Sequence, residues 1–243
     1  MSEPAPVLAI TGAASGIGAA TVQLALESGY RVAALDKKTP NFTFQENLLQ
    51  LACDVTDTAS LEQALDCIEE RWPAGLEALV HCAGIYRTSA AETLDLALWQ
   101  EVHDINVTGS YVAASVLGRP LLRRGKGSIV LLSSIAFALG DGTEPGAAYA
   151  ASKGAVVSLG RQLAAEWGPR GVRTNVVAPG VIDTPMTTIV NSQEGLGKVL
   201  ENIPLQRLGA ADEVAHACLF LAGRKSSYVN GVVLPVDGGQ SII

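Results

Sequence analysis

The sequence predicts an α/β fold: one doubly wound parallel sheet of about seven strands, with helices on both faces. Three observations carry this. Short apolar runs of strand character alternate with helical stretches along the whole chain. The first run opens directly into a glycine-rich turn and then a helix, between Val7 and Glu27. Of the 243 residues, 48% are hydrophobic, enough to bury a sheet on two sides. No repeat, linker or low-complexity tract divides the chain, so residues 1–243 read as one domain.

Val7 to Ile10 is a short buried strand, and Thr11-Gly12-Ala13-Ala14-Ser15-Gly16-Ile17-Gly18 follows it. Strand, glycine turn and helix (Ala19 to Glu27) form the context of a dinucleotide fingerprint, here spaced Gly-x-x-x-Gly-x-Gly. Gly12, Gly16 and Gly18 let the backbone approach a pyrophosphate, with Ser15 and Ile17 between them, and the helix N-terminus favours its charge. Arg31 to Leu35 is the second strand, ended by Asp36. A carboxylate there accepts hydrogen bonds from ribose hydroxyls and repels a 2′-phosphate, which favours NAD over NADP; Lys37 and Lys38 soften that preference. Residues 37–47 contain Pro40, Asn41 and few helix formers, so they read as a loop.

Leu48 to Cys53 is the third strand, followed by Asp54-Val55, where Asp54 is placed to meet an adenine amino group. Leu61 to Arg71 is an amphipathic helix with Leu61, Ala64, Leu65 and Ile68 on one face. Ala78 to Val80 is the fourth strand, ending in His81-Cys82-Ala83-Gly84; the glycine lets backbone lie against a cofactor, and His81 reads as structural. Leu96 to Leu117 is a long helix with Asn106 inside it, a residue mildly unfavourable at such a position. Ser128 to Leu132 is the fifth strand, with Ser133-Ser134 at the carboxyl edge where ligands of open sheets bind.

Phe137 to Pro145 is a glycine-containing loop, and Ala147 to Trp167 a helix. Tyr149 and Lys153, four apart, share one face of that helix, and a cation close to a phenol lowers its pKa and makes a proton-transfer pair. Val172 to Val177 is the sixth strand, before Pro179-Gly180. The mixed composition around 184–204, with two glycines, suits a lid over the substrate. Asp212 to Leu221 is a helix, and Gly231 to Val236 the last strand.

The net charge of −7 argues against general attraction to nucleic acid or anionic membrane. No stretch reaches the ~18 apolar residues of a membrane span, and the first residues lack the pattern of a secretory signal. The four cysteines are scattered, as free thiols of a cytoplasmic protein would be, and neither they nor the three histidines show metal spacing. A cytoplasmic protein without a catalytic metal is expected.

Taken together, Thr11-Gly-x-x-x-Gly-Ile-Gly18, Asp54-Val55, Ala83-Gly84, Asn106-Val107, Ser133-Ser134, Tyr149-x-x-x-Lys153, Pro179-Gly180, Asn230-Gly231 and Asp237-Gly238-Gly239 occur in an order and at intervals that resemble the short-chain dehydrogenases/reductases over nearly the whole chain. The resemblance implies a Rossmann fold and a nicotinamide cofactor. It implies Tyr149 as general acid/base, Ser134 as hydrogen-bond donor to the substrate oxygen, and Ser133 as a minor candidate for that role. Lys153 would lower the Tyr149 pKa and bind the nicotinamide ribose, and Asn106 would support a proton-relay water. Ile182 and Thr184 would contact the carboxamide and phosphates.

This chain departs from the family pattern at three points. It has Cys82 in place of the usual asparagine, a longer interval from Ser134 to Tyr149, and no helix between the second and third strands. The short segment and Arg87 after Ala83-Gly84 are similar to dehydrogenases of 2,3-dihydro-2,3-dihydroxybenzoate. Arg87 would then meet a substrate carboxylate bidentately. Tyr86, Ile135, Phe137, Leu139, Glu144 and Met186 complete the expected pocket.

The expected reaction is hydride transfer between NAD(H) and a secondary alcohol or ketone, here a small cyclic hydroxy acid or dihydrodiol. A 3-oxoacyl carrier-protein reductase or general ketone reductase is the alternative, supported by the cations Arg119, Arg123, Arg124 and Lys126. A catalytically silent NAD-binding regulator is the alternative of another class. The resemblance also implies a homotetramer, with Ala113, Ala114, Val116, Ala155, Val156, Leu159 and Leu163 as candidate contact residues.

Overall fold

The computed structural model describes residues 5–142, 144–187 and 193–242, without the side chains of Gln193 and Glu194. Seven parallel strands form the sheet: β1 (Val7–Thr11), β2 (Arg31–Asp36), β3 (Leu48–Ala52), β4 (Leu76–His81), β5 (Gly127–Leu132), β6 (Val172–Pro179) and, last in the chain, β9 (Val233–Val236). Their spatial order is β3-β2-β1-β4-β5-β6-β9. The order reverses between β1 and β4, the switch point at which doubly wound sheets open a crevice. The central strands read as apolar runs rather than alternations because both faces are covered: every residue of β1 is buried, as are Val32 to Leu35.

One core packs α2 (Thr58–Arg71), α4 (Gly109–Arg124) and α5 (Ala147–Trp167) on one face of the sheet. The other packs α1 (Gly16–Glu27) and α7 (Ala211–Ala222) on the opposite face. The expected face of α2, Leu61, Ala64, Leu65 and Ile68, is the buried one, and Asp57 caps the helix by accepting from the Ala59 N–H at 2.9 Å. Gly160 on α5 lies flat against β6: a Cβ there would stand 2.4 Å from Cγ2 of Val176.

The helix expected over Leu96 to Leu117 is longer and is interrupted. It runs as α3 (Leu96–His103), a π-helical turn (Asp104–Thr108) and α4. Asn106 sits in the π turn, and a left-handed Gly125 (φ 63°) ends α4.

Residues 37–47 contain no helix. Instead Phe42 packs on the α1 side of the sheet, and its peptide groups are clamped by Gln50 of β3: the Phe42 N–H donates to Oε1 at 2.7 Å, and Nε2 donates to the Phe42 carbonyl at 3.0 Å.

After β6 the chain makes a short excursion. Two-residue strands β7 (Ile182–Asp183) and β8 (Gly209–Ala210) pair in parallel at its base, and α6 (Gln193–Glu201) lies within it. Part of the expected lid, residues 188–192, lies outside the described residues. Among the described residues no helix is long and apolar enough to cross a membrane.

Of the residues expected to form subunit contacts, Ala113, Ala114, Val116, Val156 and Leu163 are instead buried in the chain's own core. Ala155 and Leu159 of α5 are only partly buried.

Candidate active site

The carboxyl ends of the strands around the switch point open into a cavity of about 1390 Å³. At the end of β1 the glycine turn folds back on β4. Gly12 has φ 66°, and a Cβ on it would stand 2.7 Å from the Ala83 nitrogen, so no other residue fits. Gly16 differs: its φ is 53°, but a Cβ would meet only Thr184, at 3.6 Å. Ser15 precedes α1 without a side-chain capping bond, and Ser15, Gly16, Ile17 and Gly18 all line the cavity. The turn therefore presents a helix N-terminus to the cavity.

Asp36 ends β2 beside this turn. Its carboxylate accepts from the Ala14 N–H and the Lys38 N–H, each at 3.1 Å. Lys37 turns away to Asp54, Nζ to Oδ2 2.8 Å. That bond, with those from Thr56, holds the Asp54 carboxyl down at about 2, so the carboxylate is already engaged where an adenine contact was expected. Asp54 and Val55 line the cavity, as do Cys82, Ala83 and Gly84 from the end of β4. Burial pushes the Cys82 thiol up to about 12, which makes it an unreactive wall residue.

The polar centre comes from α5, β5 and the π turn. Asn106 is fully buried; its Oδ1 accepts from the Ile85 N–H at 2.8 Å, and its Nδ2 donates to the Ile85 carbonyl and to Ser152 Oγ, both at 3.0 Å. Ser152 in turn donates to the Tyr149 carbonyl at 2.7 Å. Gly84 makes room for this: a Cβ there would stand 3.1 Å from Asn106 Oδ1 and 3.4 Å from Lys153 Nζ. Asn106 thus stands behind the cavity wall, not in it.

Lys153 Nζ donates to the Leu132 carbonyl at 3.0 Å and lies 5.5 Å from the centroid of the Tyr149 ring. Burial lowers its pKa to about 8. Burial also raises the Tyr149 phenol, partly opposed by a hydrogen bond with Ser134. Lys153 thus brings its cation over the Tyr149 ring while its own bond is made to the Leu132 carbonyl.

Of the two serines, Ser133 donates to the Lys153 carbonyl at 2.8 Å. Ser134 caps a short 3-10 turn, Ile135–Phe137, and its hydroxyl is the one at the phenol. Pro179, Gly180, Ile182 and Thr184 line the cavity from β6 and β7.

His81 lies inside the sheet. Its Nδ1 bonds Thr11 Oγ1 at 2.9 Å, and burial drives its pKa down to about 3.

A family model described as "Enoyl-(Acyl carrier protein) reductase" matches residues 12–241. The chain belongs to the short-chain dehydrogenase/reductase family. Over 241 residues it is 37% identical to galactitol 2-dehydrogenase (L-tagatose-forming) of Cereibacter sphaeroides, covering 96% of this chain and 94% of that one. It is 34% identical over 233 residues to the 3-oxoacyl-[acyl-carrier-protein] reductase MabA of Mycobacterium tuberculosis, covering 96% and 92%. The structure of a gluconate 5-dehydrogenase from Burkholderia cenocepacia J2315, in complex with NADP and tartrate, superposes with a TM-score of 0.89 at 28% identity, covering 98% of this chain and 96% of that one.

As a short-chain dehydrogenase/reductase, the protein is an oxidoreductase of alcohols and ketones, and its family binds a nicotinamide cofactor. The open Gly16 at a helix N-terminus and the carboxylate of Asp36, within one cavity, fit the pyrophosphate and ribose of such a group.

Two expected substrate residues of this short-chain dehydrogenase/reductase are not in the described cavity wall. Arg87 is half-exposed; its guanidinium donates to the Tyr86 carbonyl at 3.0 Å and pairs with Glu101 at 3.5 Å. An exposed arginine with a carboxylate within reach satisfies itself there. Phe137 turns into the core on the α2–α4 side. Ile135 and Met186 do line the cavity.

Sequence reasoning missed Ser152, although its place three residues after Tyr149 on one helix face was a usable signal. It also missed Glu101, Asp104 and Lys198 in the wall, which nothing in the local sequence marks.

Proposed function

We propose that the chain is an NAD(H)-dependent dehydrogenase of secondary alcohols whose substrate is small and hydroxylated, dihydrodiols included. The observation that carries this is the convergence of Ser134, Tyr149 and Lys153 at one point of the cavity that Asp36 lines further along. A bound nicotinamide supplies or accepts the hydride. In oxidation Tyr149 takes the proton of the substrate hydroxyl; in reduction it returns that proton to the carbonyl oxygen. Ser134 donates a hydrogen bond to the same oxygen and fixes its position. Lys153 would hold the ribose of a bound cofactor, and it places positive charge near the phenol. Asn106 keeps the start of α5 in place through Ser152.

Asp36 supports NAD over NADP, since Lys37, the nearest cation in sequence, is engaged by Asp54. The polyol named for the galactitol relative supports a hydroxylated substrate. The hydroxy-acid variant loses its support because Arg87 pairs with Glu101. The MabA likeness favours a 3-oxoacyl reductase, but the cations that would greet an acidic carrier are matched by carboxylates: Arg119 by Glu62 at 2.8 Å and Arg123 by Glu69 at 2.7 Å. A silent regulator would have no use for the Ser134–Tyr149 contact.

The chain is a homotetramer of the cytoplasm in this reading, with Ala155 and Leu159, which the chain's own core covers only in part, at its contacts. Light scattering that returns a monomer removes that part.

The test is NADH formation from a panel of secondary alcohols, with NAD and NADP, on wild type and Tyr149→Phe. The variant should bind NADH with unchanged fluorescence quenching and lose about 10²–10⁴-fold in kcat. Undiminished turnover overturns the role of Tyr149, and turnover with NADP alone overturns that of Asp36.

A further inference from the structure

Beside Tyr149 stands a second polar pair that the proton-transfer set does not use. The Tyr86 ring meets the Tyr149 ring edge to face, with centroids 4.8 Å apart and planes at 87°. The Tyr86 hydroxyl reaches the Glu144 carboxylate, and both residues line the cavity. Burial and this carboxylate together raise the Tyr86 pKa well above the ordinary tyrosine value, so the phenol stays a donor across the working pH range.

The two segments are held together by backbone. The Ser89 N–H donates to the Pro145 carbonyl at 2.9 Å, and Ser89 and Gly146 form a parallel bridge. A Cβ on Gly146 would meet the Tyr86 ring and hydroxyl at 3.8–3.9 Å, ordinary contact distance, so the Tyr86 ring packs directly on this segment. Glu144 is therefore a placed carboxylate, not one on an unattached loop.

A carboxylate is acceptor-only. One phenol uses part of its capacity; the remaining lone pairs accept from whatever lies in the cavity next to the reacting oxygen. Among the described residues, and apart from Asp36, Lys37 and Asp54 near the glycine turn, the charges lining the cavity are Glu101, Asp104, Asp141 and Glu144 against the cations Lys153 and Lys198. Donors such as hydroxyls satisfy an acidic wall of this kind, and a substrate carboxylate is repelled by it.

Building on the dehydrogenase reading above, we infer that Glu144, held by Tyr86, determines specificity by accepting a hydrogen bond from a second hydroxyl of the substrate, close to the carbinol that reacts. The substrate class is then a neutral vicinal diol or polyol. Tyr86 is a positioning residue in this arrangement, and Glu144 the group that touches substrate. A hydroxyl-to-carboxylate bond in a partly buried site discriminates by about tenfold or more against an analogue that lacks the hydroxyl.

The experiment compares three kinds of substrate on wild type, Glu144→Gln and Tyr86→Phe, at four and six carbons: a vicinal diol, the matched mono-alcohol, and the matched hydroxy acid. Butane-2,3-diol, butan-2-ol and 3-hydroxybutyrate are one set. Wild type should prefer the diol over the mono-alcohol in kcat/KM by tenfold or more, and should reject the acid. Glu144→Gln should reduce the diol preference and raise the acid relative to the mono-alcohol. Tyr86→Phe should reduce the diol preference mainly through KM.

A merely structural role would lower all three substrates together, and that result overturns the inference, as does a wild type indifferent to the second hydroxyl. Failure of the underlying reading looks different: wild type binds NADH but oxidises none of the alcohols in either set, and the inference falls with it.

Discussion

Asn106 holds Ser152 from inside a π-helical turn: the amide donates to the hydroxyl at 3.0 Å, and Ser152 passes a bond of 2.7 Å to the carbonyl of Tyr149. The amide has matched partners at the Ile85 N–H and carbonyl as well. A side chain that an ordinary helix interior disfavours is here the link between two helices and the turn after β4.

Asn106→Ala removes three bonds and leaves the partners at Ile85 and Ser152 unmet. The expected cost is about 2–4 kcal/mol. In a chain of this size that corresponds to a Tm lowered by roughly 5–15 °C. Thermal unfolding followed by circular dichroism measures it; a loss under a degree would mean that water replaces the amide without penalty.

His81 gives a pH dependence of stability. Its folded pKa of about 3 lies below the ordinary 6.5, so between those values the unfolded chain binds the extra proton. Stability is unaffected by this group above pH 6.5 and falls as pH drops below it, by up to ~1.4 kcal/mol per unit. Asp54 and Glu213, held down at about 2, act in a lower window. Urea unfolding between pH 6.5 and 4.5 should therefore show a slope that His81→Gln flattens. An identical slope in the variant would place the titration elsewhere.

Asp36→Ser tests cofactor choice. The serine keeps an acceptor for the Ala14 and Lys38 N–H groups but removes the charge that opposes a 2′-phosphate. The ratio of kcat/KM for NAD to that for NADP should fall by about tenfold or more, since two like charges in a partly screened site repel by over ~1 kcal/mol. An unchanged ratio would show that discrimination resides in another residue.

Gly160→Ala tests the seating of α5 on β6. The new methyl would stand 2.4 Å from Val176 Cγ2, and overpacking of this kind costs about 1–3 kcal/mol. Val176→Ala in the same chain should recover part of that loss, so the two changes should be non-additive in a double-mutant cycle. Additive losses would mean that the helix shifts as a body instead.

The fold was legible because its signals are local. Apolar runs such as Val7 to Ile10 and Val32 to Leu35, and the face of α2, follow directly from periodicity and burial on two sides. The π turn at Asp104–Thr108 was not, because it exists to aim Asn106 at Ile85 and Ser152, partners that only the tertiary structure supplies.

The site divides in the same way. Tyr149, Lys153, Ser134 and the glycine turn are fixed by spacing, and they do meet in one cavity. Arg87 could be read either as a carboxylate partner or as an exposed arginine, because charge type does not reveal direction: Glu101, on the next helix, pairs with its guanidinium at 3.5 Å. Burial of the Tyr149 phenol, which raises its pKa, is a property that spacing cannot express.

Where a crossover helix would cover the β3 end of the sheet, Phe42 and the two bonds of Gln50 do so instead. A helix satisfies its own peptide groups and comes away from a sheet only as a unit. This cover rests on the Phe42 ring, buried Pro40 and a few side-chain bonds, those of Gln50, of Arg71 to the Glu46 carbonyl at 2.9 Å and of Asn47 to the Tyr30 carbonyl at 3.2 Å, so it can open locally while the strands beneath stay paired. Amides of residues 41–47 should exchange with deuterium faster than those of β2, through sub-global opening rather than whole-chain unfolding. The corner next to Asp36 should then open before the strands it covers.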